Sequence, residues 1–194
     1  MKNEFIETQE IELMAGYVVK RRYIIEKELG RGGCGRVFRA IDTINNGKIV
    51  AIKQLFKKSD EVTILRFEKE YVLLNKVNHP NLLKAYEMFE EKGNYFIVLE
   101  YIKGKSLKKK IAEEKEITLI EKIAIMNKIC RGIEILHLAG IVHRDIKPEN
   151  IMINEETGVV KILDLGVAKD LNSNLRLTQN GAAIGTLQYM SPEQ

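Results

Sequence analysis

The sequence predicts an α+β fold in which an antiparallel, strand-rich half precedes a mainly helical half. Three observations carry this expectation. From Tyr23 to Phe56, β-branched and aromatic residues alternate, with glycine punctuation from Gly30 to Gly35 and a turn at Asn46-Gly47, the pattern of three consecutive antiparallel strands. From Glu61 to Val77 the period changes: Ile64, Phe67, Tyr71, Leu74 and Val77 recur at steps of three and four, as on an amphipathic helix. From Ser106 onward the helical period dominates, most clearly between Ile117 and Leu138.

Residues 1–16 are acidic, lack an apolar signal core and are expected to form a mobile segment. Residues 17–102 then hold the strand-rich half. Its three strands and one helix are followed by two further strands, around Leu83 to Phe89 and Tyr95 to Tyr101, parted by Lys92-Gly93-Asn94; this makes a five-stranded antiparallel sheet plus one helix. Residues 103–194 form the helical half. There Ile120, Ile123, Met126, Cys130, Ile133 and Leu136 keep helical spacing before Gly140 ends the helix. The loop HRDIKPEN (residues 143–150) follows, and β-like pieces at Ile151 to Ile153 and Val159 to Leu163 flank a turn at Glu155 to Gly158 and deliver Asp164 at a strand end. There is no internal repeat.

With 194 residues, 45% hydrophobic and 30% charged, the chain is long enough for one domain or two small lobes. Its 31 basic and 27 acidic side chains are interspersed, so the formal charge of +4 gives nucleic-acid binding little support. Cys34 and Cys130 have neither metal-ligand spacing nor the density of a disulfide scaffold, which points to a reducing compartment and away from zinc. No apolar run approaches the roughly 18 residues of a membrane span, so the expected location is cytoplasmic.

Glu70 falls on the apolar face of the first helix, where a carboxylate must meet a cation if it is buried. The glycines of Gly30-Arg31-Gly32-Gly33-Cys34-Gly35 let backbone approach a polyphosphate, although an ordinary hairpin turn uses glycine equally well. A dinucleotide-binding reading fails because a strand, not a helix, follows Gly35. A Walker loop at Gly104-Lys105-Ser106 fails because Leu99 stands where its first glycine belongs; that stretch reads as a solvated helix start beside Lys108, Lys109 and Lys110. The next strand, Val50-Ala51-Ile52-Lys53, resolves the ambiguity. A lysine beneath a glycine turn can hold α- and β-phosphate oxygens, and Glu70 can fix that lysine by an ion pair; the competing reading is a surface lysine and a partly exposed glutamate.

Together with His79-Pro80-Asn81, HRDIKPEN, Asp164-Leu165-Gly166 and GTLQYMSPE at 185–193, these segments give the sequence its resemblance to the eukaryotic-type protein kinase family, and closely to the bacterial serine/threonine kinases. The resemblance runs from about Tyr17 to Gln194. It implies a two-lobe kinase-like fold, ATP and Mg²⁺ as cofactors, and a protein serine or threonine hydroxyl as acceptor. By it, Asp145 orients the hydroxyl and accepts its proton, Lys147 neutralises γ-phosphoryl oxygens, Lys53 and Glu70 form the phosphate-holding pair, and Asn150 and Asp164 hold Mg²⁺. Leu29, Gly30, Arg31, Gly32, Gly33, Cys34, Gly35 and Val37 cover the nucleotide. Val37, Ala51 and Met152 sandwich the adenine, Leu99 is the gatekeeper, and Glu100 and Ile102 offer hinge backbone.

The same resemblance makes Lys147 and Thr186 marks of serine/threonine rather than tyrosine specificity. It stacks His143 and Leu165 with Leu74 and Ala85, so His143 reads as a satisfied core histidine; His79 and His137 also read as structural. Arg144 would meet a phosphate on the segment from Asp164 to Glu193, with Thr178 the preferred site, and autophosphorylation within a dimer would be compatible with that. Asp-Leu-Gly in place of Asp-Phe-Gly, Ser-Pro-Glu in place of Ala-Pro-Glu, and Cys34 at the tip of the glycine turn depart from the family pattern. So does the stop at Gln194, from which an incomplete helical lobe with exposed apolar surface is expected. The alternatives are a remnant that binds nucleotide or protein without turnover, and a small-molecule phosphotransferase.

Overall fold

A computed structural model of the chain describes residues 11–32, 35–56, 59–113, 116–165, 169–170 and 187–190. The chain divides into two compact units, one of Met1–Ile64 and Ala85–Tyr101, the other of Leu65–Lys84 and Ile102–Gln194. Leu65–Lys84 group with the second unit instead of with the strands around them.

The first unit is built on one antiparallel sheet of β1 (Val18–Val19), β2 (Tyr23–Arg31), β3 (Gly35–Asp42), β4 (Lys48–Leu55), β5 (Ala85–Glu91) and β6 (Asn94–Glu100), in the order β1-β2-β3-β4-β6-β5. Five of these strands are the expected ones. The sixth, β1, is too short to leave a periodic signal. Between β5 and β6 the turn has left-handed backbone at Lys92 (φ 52°) and Gly93 (φ 74°), the twist a two-residue hairpin requires. Between β3 and β4, Asn46 and Gly47 are left-handed as well, at φ 52° and 71°. Asp42 closes that loop: its carboxylate accepts from Asn45 Nδ2 at 2.8 Å and from Arg22 Nε and Nη2 at 2.7 Å each. The Arg22 fork holds the Asp42 carboxyl down at about 2, which matches a buried charge with its counter-charge.

Alternate residues of the strands, Tyr23, Ile25, Phe38, Ala40, Val50, Ile52, Phe96 and Val98, form one buried cluster on a single face of the sheet. Phe89 stacks between Tyr23 and Phe96, with ring centroids 6.3 and 5.1 Å away. Ile11 and Leu13 belong to the same cluster, 7% and 6% exposed. The expectation of a mobile segment through residue 16 is therefore corrected over residues 11–16. Alternation explains the error: Ile11 and Leu13 point inward while Glu12 and Met14 between and after them stay exposed, so a locally acidic composition hides an apolar face.

α1 (Glu61–Lys76) starts at Asp60, whose Oδ1 accepts from the Thr63 amide at 2.8 Å. It buries Phe67, Glu70, Leu73 and Leu74, so Glu70 lies on the apolar face as expected, at 3% exposed. After it, the Asn81 amide Nδ2 donates to Val160 O at 2.9 Å, Ile162 N donates to Asn81 O at 2.9 Å, and Leu82 forms a parallel bridge with Ile162. These bonds tie the segment that follows α1 into the second unit.

The rest of that unit comprises β7 (Lys105–Ser106), α2 (Leu107–Glu113), α3 (Leu119–Leu138), β8 (Ile141–Val142), a 3-10 turn (Pro148–Asn150), β9 (Ile151–Ile153), β10 (Val160–Ile162), β11 (Lys169–Asp170) and a second 3-10 turn (Leu187–Tyr189). The strands pair as β10-β9-β7 and β11-β8. α3 opens on a capping box, with Thr118 Oγ1 accepting from the Glu121 amide at 3.2 Å and Glu121 Oε2 accepting from the Thr118 amide at 3.3 Å.

Its buried face differs from the expected stripe. Leu136 of that stripe is buried, but its buried companions are Ile129 and Gly132, whereas Ile120 (81% exposed), Ile123, Met126 and Cys130 face outward. α3 carries apolar residues on more than one side, and Gly132 selects the packed side: a Cβ there would come within 2.8 Å of Ile162 Cδ1 and 3.2 Å of Asn81 O. Lys110 also departs from the reading of a solvated lysine run. It is 7% exposed, with Nζ 3.8 Å from Glu121 and 3.7 Å from Glu155.

Candidate active site

In the first unit, strand register collects the expected nucleotide residues on one face of the sheet. Val37 pairs with Lys53, and Ala51 pairs with Leu99. Directly paired side chains share a face, as do residues two apart in a strand, so Val37, Ala51, Lys53 and Leu99 all project away from the Phe38–Ile52 core side. Ala51 and Leu99 are buried, and Val37, Lys53 and Glu100 half-buried.

The glycine turn is closed by Gly32 N donating to Gly35 O at 2.9 Å. Gly35 is required by the fold, because a Cβ on it would lie 2.1 Å from Gln54 O. Gly30 and Gly32 are different: a Cβ on either would meet nothing within 4 Å, and neither has left-handed backbone. Nothing internal demands glycine there, which fits backbone left bare for an external group such as a polyphosphate. Leu29 is exposed and Arg31 stacks 5.1 Å from the Phe56 ring centroid. Gly33 and Cys34 lie outside the described residues.

In the second unit, the loop from His143 to Asn150 is held by its own side chains. Lys147 Nζ lies 2.7 Å from Asp145 Oδ2, and Asn150 Nδ2 donates to both Asp145 Oδ2 and Asp145 O at 2.9 Å. With its NH₂ committed to Asp145, the Asn150 amide has its oxygen left to face a ligand. Leu163 N donates to Asn150 O at 2.8 Å, which fastens Asp164 beside the loop. Arg144 (φ 67°) and Asp164 (φ 56°) are both left-handed, a conformation uncommon for residues other than glycine and concentrated at functional sites.

His143 is buried and bonded at both nitrogens. The Asp145 amide donates to Nδ1 at 3.2 Å, so Nε2 carries the proton and donates to Leu163 O at 3.0 Å. Burial pushes the imidazole below its ordinary value of 6.5, against the upward pull of the Leu163 carbonyl and the Asp164 and Asp145 charges. The unfolded chain therefore takes up this proton first as pH falls. Stability contributed by neutral His143 is full above 6.5 and is lost as pH drops from there through the lower folded value. Urea unfolding at pH values above and below 6.5 will show a decline in the parent that is smaller in His143→Phe; equal declines would mean that another group titrates.

The family model described as the protein kinase domain matches residues 23–194. The chain belongs to the protein kinase domain family. Among curated relatives, it is 35% identical over 184 residues to a probable serine/threonine-protein kinase PknB of Lactococcus lactis, covering 94% of this chain and 29% of that protein. It is 35% identical over 196 residues to the serine/threonine-protein kinase pkn3 of Myxococcus xanthus, covering 96% and 36%, and 34% identical over 183 residues to the serine/threonine-protein kinase PrkC of Bacillus subtilis, covering 94% and 28%. The chain spans about a third or less of the length of these relatives.

In this kinase domain, the second unit brings Asp145, Lys147 and Asn150 together and fastens Asp164 beside them, while the first unit gathers Val37, Ala51, Lys53 and Leu99. Ile102 and Met152 are half-buried in the second unit. Thr178 and Thr186 lie outside the described residues. Sequence reasoning assigned nothing to Glu149, whose Oε1 meets Lys108 Nζ at 2.7 Å and links α2 to the 3-10 turn of the loop. Lys108 draws the Glu149 carboxyl below its usual range. Sequence reasoning also missed Gln54, which is 1% exposed. The signal was present, since a glutamine flanked by strand residues Lys53 and Leu55 must face the same side as Ile52. Among the described residues, no helix is long and apolar enough to cross a membrane.

Proposed function

We propose that this kinase domain transfers the γ-phosphoryl group of ATP to a serine or threonine hydroxyl of a protein. The observation that carries the reading is the Asp145 carboxylate, held by Lys147 Nζ at 2.7 Å and Asn150 Nδ2 at 2.9 Å, in a chain whose relatives are named serine/threonine-protein kinases. Asp145 takes the proton of the attacking hydroxyl as its oxygen bonds to the γ-phosphorus and the bond to the β-phosphate oxygen breaks, releasing ADP. Lys147, now on Asp145, offers its ammonium to the γ-phosphoryl oxygens. The bare backbone at Gly30 and Gly32 covers the phosphates, Lys53 holds α- and β-phosphate oxygens, and Ala51 and Leu99 supply apolar contact for adenine.

Asn150 Oδ1 and the Asp164 carboxylate fit a hard cation, and Mg²⁺ held there would neutralise phosphate charge; two protein oxygens suffice, because Mg²⁺ takes further ligands from phosphates and water. Arg144 would receive a phosphate placed at Thr178 by another copy of the chain. Two cysteines without the density of a disulfide scaffold, and ATP as the phosphoryl donor, support a cytoplasmic location.

The test is intact mass of the chain after incubation with Mg²⁺ and ATP, alone and with a protein acceptor. Gain in whole phosphate steps supports the reading. MgADP binding without transfer would convert it to nucleotide binding alone, and transfer only to a small molecule would overturn the protein acceptor. Lys53→Met is expected to weaken transfer by about a hundredfold or more, through lost phosphate positioning. Transfer within about threefold of the parent would remove Lys53 from that role.

A further inference from the structure

The segment that precedes β1 is bound to the sheet by more than apolar contact. Ile11 O accepts from Gln54 Nε2 at 2.9 Å, and Ile11 N approaches Asn94 Oδ1 at 3.4 Å. Gln54 and Asn94 are both essentially without solvent exposure. At the other end, Gly16 N donates to Ile25 O at 2.8 Å and Ile25 N to Tyr17 O at 2.9 Å. Residues 11–17 thus form a strap tied down at both ends, with Ile11 and Leu13 filling the core beneath it.

Gln54 connects this strap to the nucleotide half of the site. It follows Lys53 in β4, and its side chain faces the opposite side of the sheet. Its Oε1 accepts from Arg36 Nη2 at 3.3 Å, and Arg36 is the residue after Gly35, where the glycine turn rejoins the sheet. Its backbone O is the atom that leaves no room for a Cβ on Gly35. Phe96 pairs with Gln54 and Ile97 with Lys53, so Asn94, the strap's second anchor, sits at the start of the strand that flanks Lys53. If the strap leaves, Gln54 Nε2 loses its 2.9 Å bond to Ile11 O and keeps only the long 3.4 Å approach to Asn94 Oδ1, so a buried N–H is left under-satisfied and favours loosening of the strand end or entry of water.

We propose that residues 11–17 are a docking strap that holds the Lys53 strand and the glycine turn in binding geometry through Gln54, so that nucleotide affinity depends on the strap being docked. Gln54 is a positioning residue; it acts on ligand only through Lys53 and Arg36. This rests on the reading of Lys53 and the glycine turn as the phosphate-binding elements. Release of residues 11–17 would lower affinity by the fraction of molecules left competent, without any change in the residues that touch the nucleotide.

The test is MgADP affinity by calorimetry, well below the melting temperature, for the full chain and for Ile11→Asp, Ile11→Val and Gln54→Glu, with hydrogen exchange read over residues 11–17 and 48–55. Ile11→Asp is expected to speed exchange in both segments and to raise Kd about tenfold, while Ile11→Val stays within about twofold. A strap that only stabilises the fold would lower the melting temperature and leave Kd unchanged in the folded protein. Rapid exchange of residues 11–17 in Ile11→Asp with Kd within about twofold of the parent overturns the proposal. Should Ile11→Asp not fold, Gln54→Glu decides by the same two readings, since it keeps an acceptor for Arg36 and removes the donor to Ile11 O and Asn94 Oδ1, the two anchors of the strap. A parent chain that binds no MgADP overturns the phosphate-binding reading and this proposal with it; a parent that binds, beside an undocked variant that binds equally, overturns the strap alone.

Discussion

Asp145→Asn lowers phosphoryl transfer by about a thousandfold while MgADP affinity stays within about twofold of the parent. The substitution preserves size and an oxygen that can accept from Asn150 Nδ2, which now donates to Asp145 at 2.9 Å, so the loop from His143 to Asn150 keeps its closure. It removes the charge that draws Lys147 Nζ to 2.7 Å and the basicity needed to take the hydroxyl proton. The loss therefore falls on the chemical step and not on nucleotide binding. Rates from intact mass or labelled phosphate, with a contaminating kinase excluded by a second preparation, provide the measurement. Transfer within about tenfold of the parent would assign the proton to another group. Parallel loss of MgADP binding would show that the loop had collapsed, and the effect would then say nothing about a base.

Gly104→Ala destabilises the second unit by about 3 kcal/mol or more, the upper range for forced overpacking, because its new methyl has only backbone to push against. A Cβ at Gly104 would stand 2.0 Å from Ile153 O, 2.7 Å from Ile153 C and 3.0 Å from Asn154 Cα. Gly104 immediately precedes β7, whose Lys105 and Ser106 pair with Ile153 and Met152, so relief requires β7 and β9 to separate. For a chain of this length that loss corresponds to a fall of about 10 °C in melting temperature. Thermal unfolding of the two proteins side by side would show it, and a difference under about 2 °C would mean that the β7–β9 spacing is wrong. The failed Walker reading of Gly104-Lys105-Ser106 is thereby replaced by a positive reason for the glycine: close approach of two strands.

Much of the fold and most of the candidate site were legible because they depend on local chemistry. Gly140 ends α3 with left-handed backbone (φ 74°), and Lys92-Gly93 and Asn46-Gly47 take the left-handed turns their residue types favour. Glu70 was placed on a buried face by counting residues along α1, and burial follows. Asp145, Lys147 and Asn150 are within six residues of one another, so their meeting needs only a tight loop.

What failed was whatever depends on a partner distant in sequence. The exposure of Ile120, Ile123 and Met126 and the burial of Ile129 and Gly132 could not be read from spacing, because α3 presents more than one apolar side and each satisfies the helical period. Lys110 looked solvated beside Lys108 and Lys109 until Glu121 and Glu155 came within reach. Glu149 and Lys108 are separated by 41 positions, a pairing no local pattern announces.

By itself the sequence determined the motif order, the turns and the residue types that phosphoryl transfer needs, since each arises from backbone preference or chemistry within a few residues. The tertiary structure alone decided which helix face packs, why Gly35, Gly104 and Gly132 must lack a side chain, and that residues 11–17 close over Gln54. Those outcomes are set by excluded volume and by the hydrogen bonds of buried groups. Both exist only once segments remote in the chain occupy the same space.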